Sequence, residues 1–65
     1  MKFQIGETAA MVGVTIRTLR YYDRIGLLKP AEISEAGYRY YTEREMSLLQ
    51  EVLFYRDLGC RLDEV

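Results

Sequence analysis

The sequence predicts a mostly α-helical domain of the winged helix-turn-helix class, on three observations. Gly13 separates two short helical patterns, and Thr15 stands where the second of them needs a cap. Residues 29–41 contain the chain's one proline, a glycine turn and two short β-prone runs, the marks of a hairpin. Thr42 and Glu45 then open a third helix with a capping box. The expected order is two short helices, a β-hairpin wing, a third helix and the start of a fourth, within a single domain spanning 1–65.

Met1 to Gln4 read as a short extended lead-in. From Ile5 to about Val12 the spacing is helical: Ile5, Ala9 and Val12 share a face with Thr8, while Glu7 points away. Gly13 suits the left-handed position that ends a helix. Thr15 caps a second helix, which runs to about Ile25 and is closed by Gly26. Ala9 is small enough for the two helices to cross closely. Val14 can plug the turn, and Leu19 and Tyr22 face back onto the first helix.

Pro30 excludes helix at the start of the wing. Ala31-Glu32-Ile33 is expected as one strand, Ser34-Glu35-Ala36-Gly37 as the turn and Tyr38-Arg39-Tyr40 as the return strand. Alternation sets Tyr38 and Tyr40 on the face opposite Arg39. In the third helix Thr42 is the N-cap, Glu45 occupies N3, and Tyr41 and Met46 hold the two positions of a hydrophobic staple. This helix is expected to reach about Leu58, with Gly59 as its stop, and Leu62 to Val65 begin a fourth. Met46, Leu49, Val52 and Leu53 make the stripe that faces the core. Leu48, Phe54, Tyr55 and Leu58 decorate the other faces, an apolar excess that marks a partner or a covering segment beyond residue 65.

Composition removes several function classes. A chain that is 49% hydrophobic and 29% charged is not a disordered one. No apolar run reaches the length of a membrane span and no signal-peptide block opens the chain, so no membrane partner and a cytoplasmic location are expected. Cys60 is the one cysteine and there is no histidine, so no internal disulfide, no tetrahedral metal site and no cofactor are expected; Cys60 reads as a small buried hydrophobe. An enzyme fares badly for lack of a histidine base, a glycine-rich phosphate loop or paired acids with a shared pocket.

The net charge of −1 conceals a division along the chain. Residues 1–30 hold five Lys and Arg against two acids, a net of +3, whereas residues 31–65 hold four against eight, a net of −4. Phosphate binding answers to the local field rather than to the total. The positive end contains the second helix, where Arg17, Arg20, Tyr21 and Arg24 fall within roughly a 100° arc at 3.6 residues per turn. Leu19 and Tyr22 lie on the other side, flanked by Thr18 and Ile25. One stripe is thus buried and the other is offered to something anionic and grooved, which fits the major groove of double-stranded DNA.

Linked motifs extend this reading. Thr18-Leu19-Arg20-Tyr21-Tyr22-Asp23, then Gly26-Leu27-Leu28 and Pro30, then Gly37-Tyr38-Arg39-Tyr40-Tyr41, then Leu58-Gly59 and Leu62-Asp63-Glu64-Val65 together resemble the DNA-binding domain of the MerR family over essentially the whole chain. The resemblance implies a bacterial transcriptional regulator that acts as a homodimer on promoter DNA with an over-long spacer. It implies that effector binding bends and untwists that spacer so that RNA polymerase engages both promoter elements, a form of indirect readout. It also implies that 1–65 is a fragment, with the dimerisation helix and any effector domain outside it, so the effector is left unknown.

Carried onto this chain, the resemblance makes Arg20 and Tyr21 reading-helix contacts to bases or backbone. Thr15 and Arg17 lie at the helix N-terminus, where backbone N–H groups and the dipole favour phosphate. Arg17 and Thr18 are positions where sequence preference varies, and Tyr38 and Arg39 are wing contacts to the flanking backbone. Asp23 is expected to be structural, orienting a nearby arginine or the wing, because an acid cannot usefully face phosphate. Tyr22, Tyr40 and Tyr41 are expected to bury their rings and hydrogen-bond their hydroxyls at the edge of the core. The competing readings are a protein-interaction module docking through the third helix, and an architectural DNA protein of the phage excisionase type.

Overall fold

In the computed structural model, which describes residues 1–59, a short strand β1 (Phe3–Gln4) runs directly into helix α1 (Ile5–Val12). A tight turn leads to α2 (Ile16–Arg24), followed by β2 (Glu32–Ile33), β3 (Arg39–Tyr41) and the long helix α3 (Glu43–Asp57). The expected fourth helix at Leu62 to Val65, like Cys60, lies outside the described residues.

The helix boundaries follow local chemistry. The Glu7 carboxylate turns back to accept the Gln4 N–H at 3.0 Å, closing the first turn of α1. Gly13 adopts φ +79°, and its N–H and that of Val14 both reach the Ala9 carbonyl, at 2.9 and 3.0 Å. Only glycine takes that left-handed conformation without a steric cost. At the start of α3 the buried Glu45 carboxylate accepts the Thr42 N–H at 2.8 Å and also the Thr42 hydroxyl. Burial works against the Glu45 charge, but the hydrogen bonds from Thr42 and from its own backbone N–H, with Arg44 nearby, outweigh it and hold the carboxyl below the usual range.

The wing differs from the expected two-stranded hairpin. β1 pairs with β3 in antiparallel register, Phe3 opposite Tyr41 and Gln4 opposite Tyr40, so the lead-in becomes the third strand of a sheet ordered β1-β3-β2. β2 pairs with the other edge of β3, Glu32 opposite Tyr40 and Ile33 opposite Arg39. The return strand therefore starts at Arg39 and includes Tyr41, while Ala31 and Tyr38 fall outside the strands. The physical reason is non-local: a two-stranded ribbon is marginal, and β3 becomes a stable central strand once both edges are paired. Between the strands Gly37 takes φ +89°, and Ser34 closes the turn by accepting the Gly37 N–H on its carbonyl and the Tyr38 N–H on Oγ.

The core lies where α1, α2, α3 and the sheet meet. Ala9, Leu19, Tyr22, Leu28, Tyr41, Leu49 and Val52 are buried, with Ile5, Val12, Val14, Leu27 and Leu53 packed against them. Ala9, Leu19 and Tyr22 occupy the helix-crossing positions expected of them. Leu28 was not assigned to the core by its spacing, because it comes from the connection rather than from a periodic element. Tyr41 is fully buried, as expected for its ring, and Met46, its staple partner, is half-buried. Leu48, Phe54 and Tyr55 are exposed on α3, and Leu58 at its C-cap, as the apolar excess of that segment implies.

Candidate nucleic-acid interface

The site begins with the cap of α2. The Thr15 Oγ1 accepts the Thr18 N–H at 3.1 Å, and the two threonine hydroxyls share a hydrogen bond of 2.9 Å. This fixes the first turn and leaves the N–H groups of Ile16 and Arg17 without intrahelical partners at the positive end of the helix dipole. From there the sequence lays a polar stripe along the side away from Leu19 and Tyr22. Arg17, Thr18, Arg20, Tyr21 and Arg24 line one open concavity on that side.

Among the described residues, the charges on this stripe are not consumed by carboxylates. Lys2, Lys29, Arg39 and Arg56 each pair with a carboxylate, whereas Arg17, Arg20, Arg24 and Arg44 have no ion-pair partner among the described residues. Three of those four lie on α2 and are exposed. Within the stripe the Arg24 guanidinium makes a cation–π approach, 5.4 Å from the centre of the Tyr21 ring. Tyr21 itself is 40% exposed, so it presents a polar tip beside three guanidinium groups.

The wing residues divide. Tyr38 stands 59% exposed at the end of the turn, free to meet a ligand. Arg39 turns back toward α2, and its Nε donates to Asp23 Oδ2 at 3.0 Å. Asp23 is therefore structural as expected, and Arg39 is the arginine that it orients. Lys29, to which the sequence assigned no role, approaches Asp23 Oδ1 at 3.7 Å but is largely solvated. Beside this pair the Tyr41 hydroxyl is buried with no hydrogen-bond partner among the described residues, contrary to the expectation that it would find one. Burial pushes it above the usual phenol range; the Asp23 carboxylate adds to the rise and Arg39 opposes it.

A small helical domain with a glycine-turned helix pair, a basic second helix and a β-wing is a winged helix-turn-helix DNA-binding domain in class. Residues 4–41 match the model of the MerR family regulatory proteins. The chain belongs to that family. It is 52% identical over 65 residues to the HTH-type transcriptional activator TipA of Streptomyces coelicolor, covering all of this chain and 26% of the relative. It is 46% identical, again over its whole length, to the HTH-type transcriptional activator mta of Bacillus subtilis, covering 25% of that protein. The chain thus spans about a quarter of the length of these curated relatives.

Solved structures agree. A MerR family transcriptional regulator from Bacillus cereus superposes with a TM-score of 0.92 at 42% identity, over 98% of this chain and 48% of that one. HiNmlR, a MerR family regulator bound to promoter DNA, gives 0.90 at 28% identity over 98% and 51%. EcmrR, seen in the EcmrR–DNA complex in EcmrR-RPo, gives 0.92 at 41% identity over 95% and 24%. Among the described residues no helix is long and apolar enough to cross a membrane.

Proposed function

We propose that this chain binds double-stranded promoter DNA sequence-specifically, as the reading end of a cytoplasmic bacterial transcriptional regulator that distorts promoter spacer DNA. The observation that carries this is the α2 stripe: three exposed arginines with no ion-pair partner among the described residues, beside an exposed tyrosine and a capped helix N-terminus. Arg20 and Tyr21 contact bases or backbone from the middle of the helix. Thr15 and Arg17 hold phosphate at its start, and Thr18 and Arg17 tune sequence preference. Tyr38 and Arg39 meet the flanking backbone. The likeness to HiNmlR on promoter DNA and to EcmrR in EcmrR-RPo supports DNA and RNA polymerase as partners of the longer protein. Dimerisation through a segment outside 1–65 then supplies the second half-site reader, and an effector domain there supplies the switch; no cofactor and no catalytic step are involved.

Selection of duplexes from a random-sequence library by the chain, followed by binding at increasing salt, tests the proposal. Enrichment of one half-site motif, with affinity falling steeply as salt rises, is the expected result. Recovery of no duplex, or binding indifferent to salt, would point instead to docking through the apolar faces of α3.

A further inference from the structure

Asp23 stands where two local rules disfavour it. It lies in the last turn of α2, where the helix dipole repels a carboxylate, and two to three residues from Tyr21 and Arg20 on a surface that otherwise selects cations. Residues that break local rules mark positions where another requirement wins. The side chain is only 14% exposed and is held at 3.0 Å by the Arg39 Nε, whose own side chain is 32% exposed. That bond joins the reading helix to the central wing strand across 16 residues of sequence.

The other links are the shared core, to which Tyr22 and Tyr41 both belong, and the looser, largely solvated approach of Lys29 to Asp23 Oδ1 at 3.7 Å. α2 packs chiefly on α1, and the wing strands pack on α1 and α3. The Arg39 guanidinium makes no other hydrogen bond among the described residues. Because a guanidinium carries five N–H donors in a rigid fork, it can keep Nε on a carboxylate while its outer nitrogens face a phosphate. Lysine, whose three donors radiate from one nitrogen, has no separate nitrogens in a planar fork to hold the carboxylate and the phosphate at fixed positions.

We propose that Asp23 is a positioning residue for DNA recognition: by anchoring Arg39 through Nε, it fixes the distance between the α2 stripe and the wing and presents the outer face of that arginine to a flanking phosphate. This rests on the DNA-binding reading above. Its consequence runs against simple electrostatics, in which deleting a carboxylate from a phosphate-facing surface strengthens binding. Under the positioning account the neutral variant binds more weakly, because the wing arginine loses its anchor.

The test uses the chain and the duplex that the wild type enriches, with affinity and ethylation interference at each phosphate. Asp23→Asn is expected to weaken binding about tenfold, the scale of one charge-assisted contact. It is also expected to lose interference at the phosphates flanking the half-site while keeping that at its centre. Arg39→Lys, which retains the charge and leaves the core untouched, is expected to lose the same flanking signals and serves if Asp23→Asn does not fold. Equal or tighter binding by Asp23→Asn with an unchanged pattern overturns the proposal, as does a wild-type pattern from Arg39→Lys. A wild-type chain that enriches no duplex overturns the DNA-binding reading as well, which separates the two failures.

Discussion

At the scale of single residues, Arg20 is the clearest probe of base reading. It is exposed in the middle of α2 and has no ion-pair partner among the described residues, so its removal is expected to leave the fold intact. Arg20→Ala is expected to cost about 1–3 kcal/mol on the selected duplex and to relax preference at one base position, measured by fluorescence anisotropy. Arg39→Ala differs in kind: it weakens all sequences about equally and flattens the salt slope by roughly one unit, because its contact is a phosphate. Tyr41 provides a stability test of the opposite sign. Its buried hydroxyl lacks a partner among the described residues, so Tyr41→Phe removes an unsatisfied group while keeping the ring. Thermal unfolding is expected to show no loss, and a gain of up to about 1 kcal/mol.

At the scale of elements, the caps decide where helices start and how they respond to acid. The Glu45 carboxyl sits below its usual range, so it binds protons less readily when folded than when unfolded. Its contribution is therefore fully present above the unfolded value near pH 4.3 and disappears as pH falls through the lower folded value. Glu45→Gln is expected to shrink that acid-side loss in the unfolding midpoint between neutral pH and about pH 3. These local devices were legible in the sequence because each is confined to a few adjacent residues: Thr15 at the start of α2, Thr42 with Glu45, Gly13 at the end of α1. What lay hidden depends on pairing across the chain. Phe3 becomes a strand residue only because Tyr41 arrives opposite it. The stripe on α2 was readable from helical periodicity, whereas the capture of Arg39 by Asp23 requires knowing that the wing folds back on that helix.

At the scale of the whole molecule, two surfaces compete for attention, one basic and one apolar. The exposed Leu48, Phe54 and Tyr55 on α3 and Leu58 at its C-cap form a large uncovered face for 65 residues, and Phe54 and Tyr55 pack edge to face at 5.6 Å within it. The 65-residue chain is expected to bind a hydrophobic dye or to self-associate in sedimentation, and a longer chain containing the following residues to do neither. The charge division works at the same scale, keeping the cations of α2 together while carboxylates gather in the second half.

The most direct measurement is the salt dependence of binding to the enriched duplex, for the wild type and for a variant with Arg17, Arg20 and Arg24 all changed to glutamine. For the wild type, log affinity against log salt is expected to fall with a slope of about −3 or steeper, and for the triple variant both the slope and the sequence preference are expected to collapse. A triple variant that enriches the same duplex with the same slope would contradict the account at its base.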